Sequence, residues 1–258
     1  MSSLNTQNVQ PFDQDAARGG YVYTSSDRLS CRLATQRSFD VILSAGQMSG
    51  RSVLDMGCGD GFYTVRFWDH GSPRALAAAD AAATAVEVAR ERSGNRPIRF
   101  QVADAHALPF TTDSFDLALV QSILHHDDSP ADLIREAFRV APVVLIHEPN
   151  GNNFGLKVIE KLSRYHREHG EKSYGSKKIR RWVSEAGGKV QWEKFAGFVP
   201  MFSPDWLARL MKGVEPLLER TPGLRALGCA LYVLVASRDP AASPAAQLMR
   251  STVNREWE

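Results

Sequence analysis

The sequence of 258 residues predicts an α/β protein built on a mostly parallel sheet of seven strands with helices on both faces. Two observations indicate this fold. From residue 51 onward, short Val/Leu/Ala-rich runs alternate with segments of helical pattern, as expected when each connection crosses back over a parallel sheet. The runs are almost continuously apolar, which is typical of strands buried on both faces.

The predicted elements follow one another at short intervals. Ser25-Ser26 is expected to cap a first helix that ends near Gly46, and Ser129-Pro130 has the residue pair that opens a helix. Strands are predicted over 52–56, 74–79, 98–102, 115–120, 143–146, 189–195 and 230–236. Helices are predicted over 61–70, 81–92, from 130 onward, and over 154–169, 176–186 and 204–219.

We expect three parts along the chain. Residues 1–50 form a polar N-terminal arm and a helix, and 51–238 form one domain that carries a helical cap inserted at about 150–186 after the fifth strand. Residues 239–258 are rich in Pro, Ala and Ser, which is typical of a loose C-terminal tail.

Composition narrows the class of protein. The chain holds 31 Lys and Arg against 29 Asp and Glu, so its overall charge favours neither a nucleic-acid nor a membrane partner. Cys31, Cys58 and Cys229 are odd in number and far apart, which suggests a reducing compartment. The N-terminus lacks the apolar core of a signal peptide, and no apolar run approaches the length of a membrane span. We therefore expect a cytoplasmic protein.

A glycine-rich run after the first strand is the most specific feature. Asp55 ends an apolar stretch, and Gly57, Gly59 and Gly61 follow at alternate positions before helical sequence resumes. Such a strand-to-helix turn is expected to present N–H groups and a helix N-terminus to a small molecule. The dinucleotide pattern G-x-G-x-x-G would need glycine where Phe62 stands. The spacing therefore favours a nucleoside ligand without a pyrophosphate.

Read as hydrophobic-hydrophobic-Asp-x-Gly-x-Gly-x-Gly, this run resembles motif I of class I S-adenosylmethionine-dependent methyltransferases. Within that class it is most similar to the small-molecule, type 11, ubiquinone-biosynthesis-like group. The resemblance implies a Rossmann-like fold and S-adenosyl-L-methionine as cofactor. It also implies that Asp55, Gly57, Cys58 and Gly59 bind that cofactor.

Two acidic residues continue the resemblance. Asp80 lies 19 residues after Gly61 at a predicted strand end, where a carboxylate can accept both ribose hydroxyls, with Ala81 beside it. The alternative role for Asp80 is the N-cap of the next helix. Asp104-Ala105 resembles the segment in which Asp accepts from the adenine amino group and the next N–H donates to the ring. The alternative for Asp104 is a surface turn.

The segment after the fourth strand resembles the Leu-His-His segment of these enzymes. Its backbone, from Gln121 onward, would line the methionine end of the cofactor. His126, and after it His125, are candidates for a general base near the reactive methyl, because a neutral imidazole can take a proton at neutral pH. Packing of the loop is the alternative role. Tyr23 could close the pocket from the N-terminal arm, or anchor a loop instead.

Two further groups of residues concern a metal ion and the acceptor. His and acidic residues follow two neighbouring strands, but they lack helical His-x-x-x-His spacing and a Cys partner, so we predict no metal. Residues 157–194 hold eleven Lys and Arg against five Asp and Glu. This segment could recruit an acidic or carrier-bound acceptor, or it could be a solvated helix face.

The sequence therefore predicts methyl transfer from S-adenosylmethionine to an oxygen, nitrogen or carbon of a small-molecule acceptor in biosynthesis or secondary metabolism. Such an enzyme mainly aligns the acceptor and excludes water. One alternative is a relative that binds the cofactor without transferring methyl, in a regulatory or rearrangement-promoting role. An NAD-dependent oxidoreductase is disfavoured by Phe62. Nucleic-acid methylation is disfavoured because the fourth-strand loop lacks an Asn/Asp-Pro-Pro-aromatic sequence.

Overall fold

The computed structural model describes residues 26–162 and 172–238, without the side chains at 159, 161 and 162. The strands are β1 (Ser52–Met56), β2 (Ala75–Asp80), β3 (Ile98–Val102), β4 (Leu117–Gln121), β5 (Val143–Pro149), β6 (Lys189–Ala196) and β7 (Leu231–Ser237). The helices are α1 (Leu29–Gly46), α2 (Phe62–Gly71), α3 (Ala83–Ser93), α4 (Pro130–Val140), α5 (Phe154–Leu162), α6 (Ser176–Glu185), α7 (Asp205–Arg220) and α8 (Leu224–Gly228). A short 3₁₀ turn covers Leu124–His126.

The seven strands form one sheet in the order β3-β2-β1-β4-β5-β7-β6. The first five strands pair in parallel, and β7 is antiparallel to both β5 and β6. The predicted fold class, a mostly parallel Rossmann-like sheet, is confirmed. The strand order reverses between β1 and β4, and ligands of such sheets bind beyond the carboxyl ends of the strands at that point.

Each face of the sheet buries its own apolar cluster, because successive side chains of a strand point to opposite faces. In β1, Leu54 and Met56 pack with the cluster that contains Phe138 of α4 and Trp182 of α6. Val53 of the same strand packs with the cluster on the other face, which the first two helices cover with the residues Phe39, Ile42 and Phe67. Helices therefore cover both faces, as predicted.

Most predicted boundaries lie within two residues of those observed, and β1 and β3 match their predicted ranges. Helix α1 begins later than expected, because Arg28 is its N-cap residue and the predicted cap at Ser25-Ser26 is wrong. Strand β5 runs to Pro149 instead of ending at Ile146, since its antiparallel pairing with β7 continues through Glu148 opposite Tyr232. This extension places two polar side chains, His147 and Glu148, inside the sheet.

Several sequence-based expectations fall outside the described residues. These are the arm and tail at 1–25 and 239–258 and the predicted helical residues 163–169. The division into arm, domain, cap and tail stays a prediction. Over the two described ranges, no helix is long and apolar enough to cross a membrane.

Candidate cofactor and acceptor site

A cavity of about 760 Å³ lies at the carboxyl ends of β1, β2, β4 and β5. Ten of the predicted site residues line it: Asp55, Gly57, Cys58, Gly59, Asp80, Ala81, Ala105, Gln121, His125 and His126. They come from four separate parts of the sequence, and the parallel sheet brings them to one edge. Asp104 is absent from the lining, and Tyr23 lies outside the described residues.

The glycine loop is bound tightly to β2. The N–H groups of Gly57 and Cys58 donate to Ala79 O at 2.8 and 3.2 Å, and the N–H of Gly59 donates to Asp80 Oδ2 at 2.8 Å. The expectation that this loop presents these N–H groups to a ligand is therefore wrong. The sheet uses them instead, so the loop contributes its shape and its neighbouring carboxylates to the cavity.

Two glycines of the loop are required by close packing. Gly57 and Gly61 both have φ of +74°, a left-handed conformation that favours glycine. A Cβ at Gly57 would lie 2.0 Å from Ile123 Cγ2, and one at Gly61 would lie 2.8 Å from Ala89 Cβ. The first contact presses the glycine loop against the loop after β4, which carries the two histidines. The second presses α2 against α3.

Asp55 is a buried carboxylate at the end of β1 that faces the cavity. Its side chain is 1% exposed, and its Oδ2 accepts from Thr64 Oγ1 at 2.6 Å. Its Oδ1 has no hydrogen-bond partner within the described part of the chain. Burial raises the pKa of Asp55 to about 6, against the lowering effect of the Thr64 bond. A partner that brings positive charge or a donor would therefore be held here.

Asp80 stands at the end of β2 with both oxygens already oriented. Oδ2 accepts from Gly59 N at 2.8 Å, and Oδ1 accepts from Ala82 N at 2.9 Å. A carboxylate has about four acceptor positions in all, which makes it a suitable acceptor for the hydroxyls of a ligand. Helix α3 begins at Ala83 with Ala82 as its N-cap residue, so Asp80 braces the turn before that helix without being its N-cap.

The two predicted site residues after β3, Asp104 and Ala105, differ in their relation to the cavity. Ala105 lines the cavity, whereas the half-buried Asp104 accepts from His106 N at 2.9 Å in a local turn. His106 in turn lies 2.8 Å from Asp127 of the loop after β4. The role of Asp104 at an adenine stays a prediction, and its observed bond stabilises the turn that carries Ala105.

Glu148 fastens the loop after β4 and was missed as a site residue. It is 1% exposed, and its Oε1 accepts from the N–H groups of Ile123 and Leu124, each at 2.9 Å. Its Oε2 lies 2.7 Å from His125 Nδ1. The sequence carried a signal, because a glutamate two residues beyond the predicted strand 143–146 must find partners at the carboxyl edge. A carboxylate thus orients His125, whose ring is 3.9 Å from that of His126 between centroids.

His147, also on β5, lines the cavity as a neutral ring. Its Nε2 lies 3.2 Å from Ser38 Oγ of α1, and its Nδ1 lies 3.4 Å from Ser122 Oγ. Burial lowers the pKa of His147 to about 4. Ser122 has φ of +56°, an uncommon conformation for serine, and its N–H donates to His147 O at 2.8 Å. The loop after β4 is therefore held in place by both polar residues of β5.

The other half of the cavity is largely apolar and comes from segments that carry no recognisable motif in the sequence. It is lined mainly by the stretch after β6 and by one side chain of α7: Phe198, Val199, Pro200, Met201, Phe202 and Met211. Two buried carboxylates of α7 hold this stretch, since Phe198 N donates to Glu215 and Gly197 N donates to Glu219, both at 2.9 Å. Glu219 also pairs with Arg37 of α1.

The basic segment is largely neutralised where it is described. Lys157 pairs with Glu160 at 2.9 Å, and Arg180 pairs with Glu193 at 2.9 Å. Lys178 lies over the rings of Tyr174 and Trp182. These contacts favour the interpretation as a solvated face. The densest part of the segment, 163–171, lies outside the described residues. In the two described ranges, no group of three or more His, Cys, Asp or Glu could hold a metal ion.

Comparison with known proteins decides the family. Residues 54–142 match a methyltransferase domain. A protein from a Streptomyces fradiae transposon is 33% identical over 117 residues, which are 44% of this chain and 34% of that protein. An uncharacterized methyltransferase of Mycobacterium tuberculosis is 30% identical over 185 residues, which cover 61% of this chain and 68% of the relative. The chain belongs to the class I S-adenosylmethionine-dependent methyltransferases.

Other relatives of this methyltransferase are matched over shorter stretches. A malonyl-acyl-carrier protein O-methyltransferase of Legionella pneumophila is 30% identical over 98 residues, which are 38% of this chain and 34% of that enzyme. The chain thus spans only about a third of the length of that enzyme and of the transposon protein.

Solved structures place the methyltransferase in the same fold. A methyltransferase of Thermotoga maritima superposes with a TM-score of 0.64 at 16% identity and covers 90% of this chain and 100% of its own. The 4+2 cyclase SpnF gives 0.62 at 21%, covering 90% and 93%. The magnesium protoporphyrin IX methyltransferase of Synechocystis, with bound S-adenosylhomocysteine, gives 0.61 at 15%, covering 90% and 96%.

S-adenosylmethionine is the cofactor of the methyltransferase, and the cavity fits it chemically. The buried Oδ1 of Asp55, which lacks a hydrogen-bond partner among the described residues, suits a cationic group, and the carboxylate of Asp80 suits a pair of hydroxyls. Both residues line the same cavity. The cofactor has a positively charged sulfonium and ammonium together with a ribose diol, so these side chains match its polar parts.

Proposed function

We propose that the methyltransferase methylates a small molecule with a largely apolar body, and that the acceptor is bound in the half of the cavity formed by residues 198–202 and Met211. The observation that carries this proposal is the continuity of the cavity. One space of about 760 Å³ is lined by the polar residues after β1 and β2 and also by the apolar stretch after β6. A volume of this size matches that of a small-molecule site.

The two halves of the cavity have different tasks. When bound, S-adenosylmethionine supplies a methyl group on a sulfonium, which is already activated for displacement. In our proposal Asp80 holds the ribose hydroxyls and Asp55 attracts the positive charge of the methionine end. The apolar residues hold the acceptor in line with the methyl group and exclude water. Alignment and exclusion of water account for most of the rate enhancement of such a reaction.

We further propose that His125 takes a proton from the acceptor, with Glu148 as its positioning residue. When Nδ1–H donates to Glu148 Oε2 at 2.7 Å, the proton-accepting nitrogen of the ring is Nε2. The same carboxylate fixes the backbone on either side of the ring by accepting from Ile123 and Leu124. These contacts favour His125 over His126 as the general base, whereas the sequence alone favours His126. A base of this kind suits an acceptor hydroxyl or a protonated amine.

The polar residues in the acceptor half indicate where a polar end of the acceptor would be held. Asn153 and Glu160 line the cavity near α5. Lys157 donates to Glu160 Oε2 at 2.9 Å, so the carboxylate there is neutralised by its own helix. A free acidic acceptor finds less support in these contacts than an acceptor whose polar group is neutral.

The test is acceptor-dependent formation of S-adenosylhomocysteine. Purified full-length protein is incubated with S-adenosylmethionine and with matched acceptors that share one hydroxyl but differ in chain length. We expect product to form and to increase with the apolar length of the acceptor. Equal rates for short polar and long apolar acceptors would contradict the proposed acceptor class. Cofactor binding with no transfer to any acceptor would favour the alternative role as a cofactor-binding protein that does not transfer methyl.

A further inference from the structure

Exposed apolar side chains lie on the three helices that contribute to the acceptor half of the cavity, and on Phe202 in the stretch before α7. We call their surface the rim face. It consists of Phe154 and Val158 of α5, Phe202, the α7 residues Trp206, Leu210, Val214 and Leu217, and the α8 residues Leu224 and Leu227. Trp206 is 68% exposed and Leu217 is 70% exposed. Exposed apolar residues grouped in this way are typical of an interaction surface.

The apolar stripe of α7 leads directly into the cavity. At 3.6 residues per turn, Trp206, Leu210, Val214 and Leu217 fall on one side of the helix, about one turn apart. Met211 lies next to this stripe and lines the cavity. Helices α5 and α8 repeat the arrangement, since Leu156 and Gly228 line the cavity while Phe154 and Leu227 are exposed.

The rim face belongs to a firmly anchored part of the fold. On the opposite side of α7, Glu215 and Glu219 are 3% and 8% exposed and accept from the backbone of the stretch after β6. Arg37 of α1 pairs with Glu219. Directly before α5, the side chain of Asn153 donates to Gly228 O at 3.1 Å and so ties the start of that helix to α8. Turning α7 to bury its stripe would break these buried ionic contacts, which is costly.

The exposed charges on α7 and α8 are mostly positive. Arg209, Arg220 and Arg225 are exposed, and the one exposed acidic residue of these two helices is Asp205. On the helical wheel of α7, Arg209 and Arg220 lie beside the apolar stripe. A helix with Trp and Leu on one side and Arg along its edge has the pattern of a helix that lies in the interface of an anionic bilayer.

We propose that the rim face docks on the surface of an anionic lipid bilayer, and that an apolar acceptor enters the cavity from that surface. The proposal rests on the proposed function, because it takes the acceptor to be apolar. The sequence predicts no membrane partner, because its overall charge is nearly balanced and no run is long enough to span a bilayer. The exposed positive charge of α7 and α8 is local. A helix that lies within the interface needs no such run, so the structure points to peripheral binding instead.

The experiment is sedimentation of the full-length protein with vesicles. One set contains equal parts of phosphatidylglycerol and phosphatidylcholine, and the other contains phosphatidylcholine alone. We expect binding to the anionic vesicles to be at least about tenfold stronger than to the neutral ones and to weaken with added salt. Tryptophan emission should shift to the blue on binding in the wild-type protein, and less so in Trp206→Phe.

Variants separate the two parts of the surface. Leu210→Ser with Leu217→Ser should weaken binding to anionic vesicles by about tenfold or more, because it removes two anchoring side chains. Arg209→Glu with Arg220→Glu should weaken it similarly by reversing the charge. The controls are Val102→Ser, on the distant edge strand β3, and Arg181→Glu, on α6 at the other face of the sheet. Both controls should bind as the wild type does.

Failure of this proposal is distinct from failure of the proposed function. Absence of vesicle binding by the wild type, or equal loss in the controls, would overturn docking on lipid even if S-adenosylhomocysteine still forms with apolar acceptors. Dimerisation in analytical ultracentrifugation that Leu210→Ser with Leu217→Ser abolishes, without vesicle binding, would assign the rim face to a second copy of the chain and overturn the proposal. Loss of transfer to every acceptor would instead count against the proposed function.

Discussion

At the scale of single residues, the site depends on how each buried polar group of the carboxyl edge is satisfied. Asp80, His147 and Glu148 all have protein partners within hydrogen-bond distance. Asp55 differs, because one of its oxygens lacks such a partner in the described chain and its pKa is raised to about 6. Buried acceptors are almost always satisfied, so this oxygen is the clearest mark of a ligand position.

Asp55 gives a prediction about the pH dependence of cofactor binding. Its carboxyl is ionised above its pKa of about 6 and neutral below it. A cationic ligand should therefore bind about tenfold more weakly at about pH 5 than at about pH 7, because a proton competes with it. Calorimetric titration with S-adenosylmethionine checks this. Asp55→Asn should give weaker binding with a flat profile over this range, and an unchanged slope in the variant would exclude Asp55 as the titrating group.

Glu148 gives a prediction about turnover. In Glu148→Gln the amide N–H₂ would face His125 Nδ1, which would then have to accept and leave the proton on Nε2. We expect kcat to fall by about 100-fold or more with cofactor affinity changed little, since a general base contributes about that much. The conservative control is His126→Gln, which should keep kcat within about threefold.

The measurements for Glu148 are kcat, the cofactor dissociation constant and the pH profile of kcat. A positioning role predicts that the acidic limb of that profile, where the general base becomes protonated, moves in Glu148→Gln. A purely structural role predicts a lower melting temperature with an unchanged profile. A loss in His126→Gln that exceeds the loss in Glu148→Gln would transfer the role of base to His126.

At the scale of elements, the loops after β1 and β4 form one packed unit. Gly57 and Ile123 are in contact where a Cβ on the glycine would leave only 2.0 Å. The loop after β4 is in turn fixed to β5 through Glu148. The position of the histidines therefore depends on a glycine more than sixty residues away in sequence.

This contact predicts that two glycine substitutions lower the free energy of unfolding by different amounts. Gly50 and Gly57 have similar φ values of +70° and +74°, but a Cβ at Gly50 would meet nothing within 4 Å. Gly50→Ala should lower the free energy of unfolding by about 1–2 kcal/mol from backbone strain alone. Gly57→Ala should cost clearly more, because overpacking adds about 1–3 kcal/mol. Denaturant unfolding measures both, and equal losses would show that the Gly57–Ile123 contact is not tight.

At the scale of the whole molecule, the parallel sheet was predictable because its strands are almost continuously apolar. Strand β1 and its glycine loop were located within a residue, because Asp55 and the alternating glycines interrupt an otherwise buried run. The end of β5 was less predictable. Glu148 has a polar carboxyl group, and the loop N–H groups and the imidazole that meet it make its burial possible.

The acceptor half was the least predictable region. Its lining comes from the stretch after β6, from α7 and from the ends of α5 and α8, which meet only in three dimensions. Met211 and Phe202 have the ordinary appearance of core residues in sequence. Helix α8 is too short, at five residues, to produce a periodic pattern. The cofactor half could be predicted because its residues directly follow strands, where a local motif fixes their place.

One binding experiment tests most directly whether the ends of β1 and β2 hold the cofactor. S-adenosylmethionine is titrated calorimetrically into the wild type, Asp80→Asn and the control Asp132→Asn, whose side chain is 57% exposed on α4. We predict that Asp80→Asn weakens binding by about 1–3 kcal/mol through lost charge-assisted hydrogen bonds, while Asp132→Asn leaves it unchanged. Equal dissociation constants for all three proteins would contradict the assignment of this edge of the sheet as the cofactor site.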